Sequence, residues 1–145
     1  DSVEKFAKNL DGKLLSSSSA TPRGVADGEY TVGLSHELYA ASCIREGAPV
    51  SAVYYAEGCY VGEEVVSIIA GGPNPESAQK FIDYLLGVDF QTRNMQATDA
   101  RSPRQDVAVP NGLPSLNDIN SVGELSPDPA MKQVILEKFR DLVFE

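Results

Sequence analysis

Positive charge is scarce in this sequence: 12 lysines and arginines stand against 21 aspartates and glutamates, giving a net charge of −9 and a pI near 4.5. No basic cluster concentrates what there is. Nucleic acid and anionic membrane surfaces are therefore poor partners, because both need a positive footprint. Long apolar runs are also missing, so no membrane span is expected, and no signal peptide stands at the N-terminus. The two cysteines, Cys43 and Cys59, match neither a zinc site nor a redox pair. One disulfide and two buried thiols both remain open for them. The G-x-S-x-G elbow of serine hydrolases is absent, and the adjacency of Ser35 and His36 does not orient a nucleophile toward a base. The expectation is therefore no enzyme, no resident metal and no cofactor.

What is present suits one ordinary globular domain: 145 residues, 42% hydrophobic and 23% charged. The pattern reads as α/β. Val3, Phe6, Ala7 and Leu10 share one face of an opening helix that Asp11-Gly12 ends. Lys13 to Leu15, Tyr30 to Leu34, Pro49 to Tyr55 and Gly62 to Ile69 are strand candidates by their β-branched, aromatic and apolar content. Between them, Thr21-Pro22 opens a helix that Asp27-Gly28 stops, and Ser35 caps another running to about Arg45, with Gly47 after it. Asn74-Pro75-Glu76 starts a helix whose buried stripe is Ala78, Phe81, Ile82, Leu85 and Leu86, stopped by Gly87. Thr98 to Gly123, with Pro103, Pro110 and Pro114, is a long loop of the kind that crosses between lobes. Pro129 to Phe144 is a terminal amphipathic helix.

Two strand-to-helix junctions carry the polar residues. The first offers Ser17, Ser18, Ser19, Ala20 and Thr21; the second offers Ser35, His36 and Glu37. If the strands are parallel, both junctions reach one sheet edge, where helix N-termini and free amides favour an anion. Glu57, at the end of the third strand, adds an acceptor for hydroxyl groups. Serine clusters also cap helices without binding anything, and an acid in a first helical turn serves the helix dipole.

Four strings, in order, carry a family resemblance: G-V-A-D-G-E-Y-T-V-G-L, G-A-P-V-S-A-V-Y-Y-A-E-G, N-P-E-S-A-Q-K-F-I-D-Y-L-L-G and R-S-P-R-Q-D-V-A-V-P. Together they resemble the C-terminal half of the type 2 extracellular solute-binding proteins of ABC importers, in the ferric-iron-binding-like branch. The resemblance implies an incomplete periplasmic-binding-protein-like type 2 fold with most of one lobe absent. Residues 1–58 would be the remainder of the second lobe, 59–97 a hinge crossing with a strand and helix of the first, and 98–145 an inter-lobe loop and C-terminal helix. It also implies a periplasmic or extracellular location, with lipid anchoring of a full-length precursor an open option. The implied partners are an anionic small-molecule solute, an ABC permease, and either the missing lobe or a second copy of this chain.

Ligand identity separates the sequence from the iron pattern. Iron-binding members place adjacent tyrosines after the strand matching Tyr30 to Leu34, whereas this chain has Ser35-His36-Glu37 there. A hydroxylated anion, a sugar phosphate in particular, fits Ser17 to Thr21, Ser35, His36, Glu37 and Glu57 better. Ferric iron and a ligand-sensing ectodomain, the latter continuing into a transmembrane helix after Glu145, stand as alternatives.

Overall fold

Residues 2–62, 64–123 and 128–144 are described by the computed structural model. Among the described residues six α-helices follow one another: α1 Ser2–Leu10, α2 Ala20–Ala26, α3 Glu37–Arg45, α4 Pro75–Leu85, α5 Val88–Thr98 and α6 Pro129–Phe144, with a 3-10 turn at Leu116–Asp118. Of the described residues 48% are helical and about 1% are in strand, and no sheet forms among them, which overturns the expected α/β type 2 periplasmic-binding fold.

The helices arise where local signals place them. Asp11 and Gly12, both at positive φ, end α1. Asp27 caps α2 and Gly28, at φ +77°, turns the chain away. Pro75 occupies the first position of α4, and the Ala78 amide donates to the Asn74 carbonyl at 3.0 Å. Two starts differ from expectation. α2 begins at Ala20, so Pro22 sits in its first turn, where a missing amide proton costs nothing. α3 begins at Glu37 with His36 as its cap residue, and Ser35 spends its hydroxyl elsewhere. α5 fills a stretch that periodicity alone leaves unassigned.

The strand candidates are neither helical nor paired into a sheet. Among the described residues the one β-bridge joins Cys59 to Ser121, and no ladder of backbone hydrogen bonds runs between these segments. Glu63, within the expected Gly62 to Ile69 strand, lies outside the described residues, as do Asp1, residues 124–127 and Glu145 in the expected terminal regions. The physical reason is burial. Parallel sheets persist when both faces are covered, yet Val32, Val53, Val65 and Ile69 are each more than four-fifths exposed. β-branched composition marks a segment as able to pair; it does not supply the second layer.

Helices pack in pairs, α1 on α6, α2 on α3 and α4 on α5. Phe6 stacks on Phe139 with ring centroids 5.9 Å apart, joining α1 to α6, and Tyr84 meets Phe90 at 5.3 Å across the α4–α5 turn. The expected buried stripe of α4 is only partly covered, with Phe81 and Leu86 exposed. The apolar core is accordingly small: Ala7, Ala41, Cys43, Val107 and Ile119. Accessible surface totals 11057 Å², against about 7,200 Å² for a compact monomer of this mass. Hydrogen bonds and ion pairs therefore carry much of the long-range organisation around α3.

Candidate functional site

The two polar junctions meet without a sheet to align them. The Ser35 hydroxyl donates to the Ser18 carbonyl at 2.7 Å, tying together loops 17 residues apart. Their approach is close because Gly33 has no side chain: a Cβ there would stand 2.4 Å from Thr21 Cγ2. Ser18, Leu34, Ser35 and His36 then line an open concavity of about 320 Å³. Leu34 supplies an apolar wall, the Ser18 hydroxyl and the imidazole supply donors and acceptors, and the Ser35 oxygen, having given its proton to Ser18, supplies an acceptor.

A second concavity, about 240 Å³, lies between α2 and α3 and is lined by Ser19, Ala20, Arg23, Tyr39, Ser42 and Cys43. The two hollows are neighbours, since Ser18 and Ser19 are successive and the His36 ring meets the Tyr39 ring edge-on at 6.2 Å. Arg23 is committed to Glu46 at 2.8 Å, an ion pair that raises its pKa through the hydrogen bond and charge of that carboxylate. Cys43 is buried and Cys59 is partly exposed, both as free thiols; the Tyr55 amide approaches Cys59 Sγ at 3.2 Å.

Of the residues expected to bind, Ser18, Ser35 and His36 share the first hollow, and Ser19 and Ala20 belong to the second. Ser17 turns inward on its own loop, accepting from the Ala20 amide at 3.3 Å and lying 3.3 Å from the Ser19 hydroxyl. Thr21 packs its methyl on Gly33. Glu57 sits exposed in the turn after Tyr55, and lines neither hollow.

Glu37 has a different employment from the one expected of it. Arg101 Nε donates to its Oε1 at 2.5 Å, Arg101 Nη2 reaches Oε2 at 3.2 Å, and the Tyr54 hydroxyl donates to Oε2 at 2.7 Å. Both carboxylate oxygens are engaged. The Arg101 and Glu37 side chains are only 13% and 31% exposed, so the pair is shielded from water and salt. Burial first, then the neighbouring carboxylate, pushes the Tyr54 phenol up to about 12.

Arg101 and Tyr54 are the residues that sequence reasoning passed over. Tyr54 looks like an ordinary strand aromatic, and Arg101 shares its loop with Arg104 as one of two positive charges. Nothing local distinguishes the two arginines. In the fold Arg104 pairs with Asp106 two residues on, and donates to the Leu86 carbonyl at 3.0 Å. The segment around Arg101 is held from both sides: Arg45 at the far end of α3 binds the buried Asp99 carboxylate at 2.8 and 3.0 Å. Gln91 of α5 accepts from the Ser102 hydroxyl at 3.0 Å. Residues 99–102 thus clamp both ends of α3 and tie it to α5.

Comparison with known proteins finds no match among family models, curated proteins or solved structures. Among the described residues no three of His, Cys, Asp and Glu gather as a metal-holding group, and no helix is long and apolar enough to cross a membrane.

Proposed function

We propose that this chain captures a small polar anion, a sugar phosphate by preference, in the hollow lined by Ser18, Leu34, Ser35 and His36, as the solute-binding component of an ABC importer outside the cytoplasmic membrane. The observation that carries the binding step is the Ser35-to-Ser18 hydrogen bond, which brings two hydroxyl-bearing loops and the chain's one histidine around a single concavity. The Ser18 hydroxyl and the imidazole are the groups able to donate to phosphate oxygens, the Ser35 oxygen, its proton given to the Ser18 carbonyl, is left to accept from a sugar hydroxyl, and Leu34 offers an apolar surface for a sugar ring face. Delivery to a permease follows from the resemblance of the four sequence strings. The type 2 fold is no part of this reading.

The hollow is open to solvent, so affinity for the isolated chain should fall in the millimolar range rather than the tight range of an enclosed cleft. The test is an amide-resolved NMR titration with glucose 6-phosphate, with inorganic phosphate, a phosphonate and Fe³⁺ as separate arms. Saturating shifts at Ser18, Ser35 and His36 are expected with the sugar phosphate. His36→Ala should weaken binding about ten-fold, the loss typical of a hydrogen bond to a charged group. Shifts confined to Fe³⁺, or an unchanged affinity in His36→Ala, would overturn the assignment.

A further inference from the structure

An anion site beside a glutamate poses an electrostatic problem. Glu37 follows His36 directly and opens α3, so an unpaired carboxylate there would repel a phosphate held by His36 and the Ser18 hydroxyl. The protein is already strongly acidic, with a net charge of −9, and offers little background attraction to offset that repulsion. We infer that Arg101 sets the site's preference for anions by engaging Glu37, cancelling its charge and holding its carboxylate away from the hollow. This inference rests on the sugar-phosphate reading above.

Three observations support it. Arg101 addresses both oxygens of Glu37 through two nitrogens, a forked geometry that a lysine does not reproduce. Tyr54 takes a further bond to Oε2, so the carboxylate has neither a free oxygen nor freedom to swing toward His36. The segment carrying Arg101 is itself held on both sides, through Asp99 to Arg45 and through Ser102 to Gln91. Arg101 lines neither hollow and is a positioning residue: it acts on the ligand through Glu37. The segment that carries it lies 64 residues from Glu37, so ligand preference at α3 depends on how 99–102 packs.

The readout is a ratio of affinities, glucose 6-phosphate over glucose, measured by the same NMR titration. Arg101→Gln should lower the ratio roughly ten-fold, the order of a like-charge repulsion across a partly solvated site. Affinity for glucose should stay near wild type, a split that mere loosening of the fold would not produce. Arg101→Lys should restore part of the ratio. The double variant Glu37→Gln with Arg101→Gln, in which no charge remains to be cancelled, should return it to near wild type. If Arg101→Gln does not fold by circular dichroism, the double variant decides alone: a wild-type ratio supports the inference, and a ratio lowered like that expected of Arg101→Gln overturns it. A wild-type chain that prefers phosphate and an Arg101→Gln chain that keeps this preference overturn this inference and spare the reading beneath it. A wild-type chain with no preference for the phosphorylated sugar overturns both.

Discussion

The neighbourhood of α3 and the irregular segments at 32–36, 51–55 and 64–69 differ in how each satisfies its backbone and side chains. α3 closes its own hydrogen bonds, buries Ala41 and Cys43, and is pinned at both ends by ion pairs to residues 99 and 101. The irregular segments are richer in β-branched and aromatic residues, yet they form no ladder and expose Val32, Val53, Val65 and Ile69. Apolar content alone did not decide which region became organised. A helix meets its backbone requirement within one segment, whereas an extended segment needs a second one in register and a cover for each face. In this chain the polar stitches of Arg101, Arg45 and Tyr54 hold the helical region, and the irregular segments hang from it.

The same substitution made in both regions measures that difference. Ala41 is fully buried on α3, so Ala41→Asp would place a carboxylate without a partner against the α2–α3 contact. The expected loss is about 3 kcal/mol or more, a large share of the stability of a small domain. Urea unfolding followed by circular dichroism should show a sharply lowered midpoint or no cooperative transition. An Ala41→Asp chain as stable as wild type would mean that α2 and α3 are not packed as described.

The helical side of this contrast is legible in the sequence, and the unpaired side is not. Asp27-Gly28, Asn74-Pro75 and the Phe6 stripe announce helix ends and faces from local chemistry, and the structure follows them within a residue or two. The strand candidates failed as a group for one reason: Val53 and Tyr55 say that a segment is able to join a sheet, and nothing in a segment says whether neighbours arrive. One meeting of residues is legible in the sequence. Ser18, Ser35 and His36 converge as the junctions suggested, though through a side-chain hydrogen bond in place of a sheet edge. Both Glu37 oxygens are engaged, by Arg101 and Tyr54, and that pairing is not legible because Arg101 lies 64 residues away, in a loop whose two arginines look alike.

Tyr54 joins the two regions, sitting in an irregular segment with its hydroxyl on the α3 carboxylate. Tyr54→Phe removes that bond and should cost about 1 kcal/mol at neutral pH, the usual net value of one hydrogen bond. It should also change the alkaline limb of stability. The folded state holds the phenol proton up to about 12, above its ordinary value near 10. The folded state therefore binds more protons than the unfolded state between those values, and stability falls as pH rises through them. Thermal melts from pH 9 upward should show this decline in the wild type and less of it in Tyr54→Phe. Equal slopes would detach Tyr54 from Glu37.

Val65→Asp is the counterpart of Ala41→Asp and carries the smallest expected effect. Val65 is 89% exposed, so the new carboxylate remains hydrated and loses no packing. The change should lie within about 0.5 kcal/mol, as for surface substitutions generally. Replacing an exposed apolar side chain with a charge also removes an invitation to self-association, so the variant should be no less soluble than wild type. A loss comparable to that of Ala41→Asp would carry a definite meaning: the Val65 face would be covered in solution, the irregular segment would be buried like α3, and the division between a stitched helical region and free irregular segments would collapse.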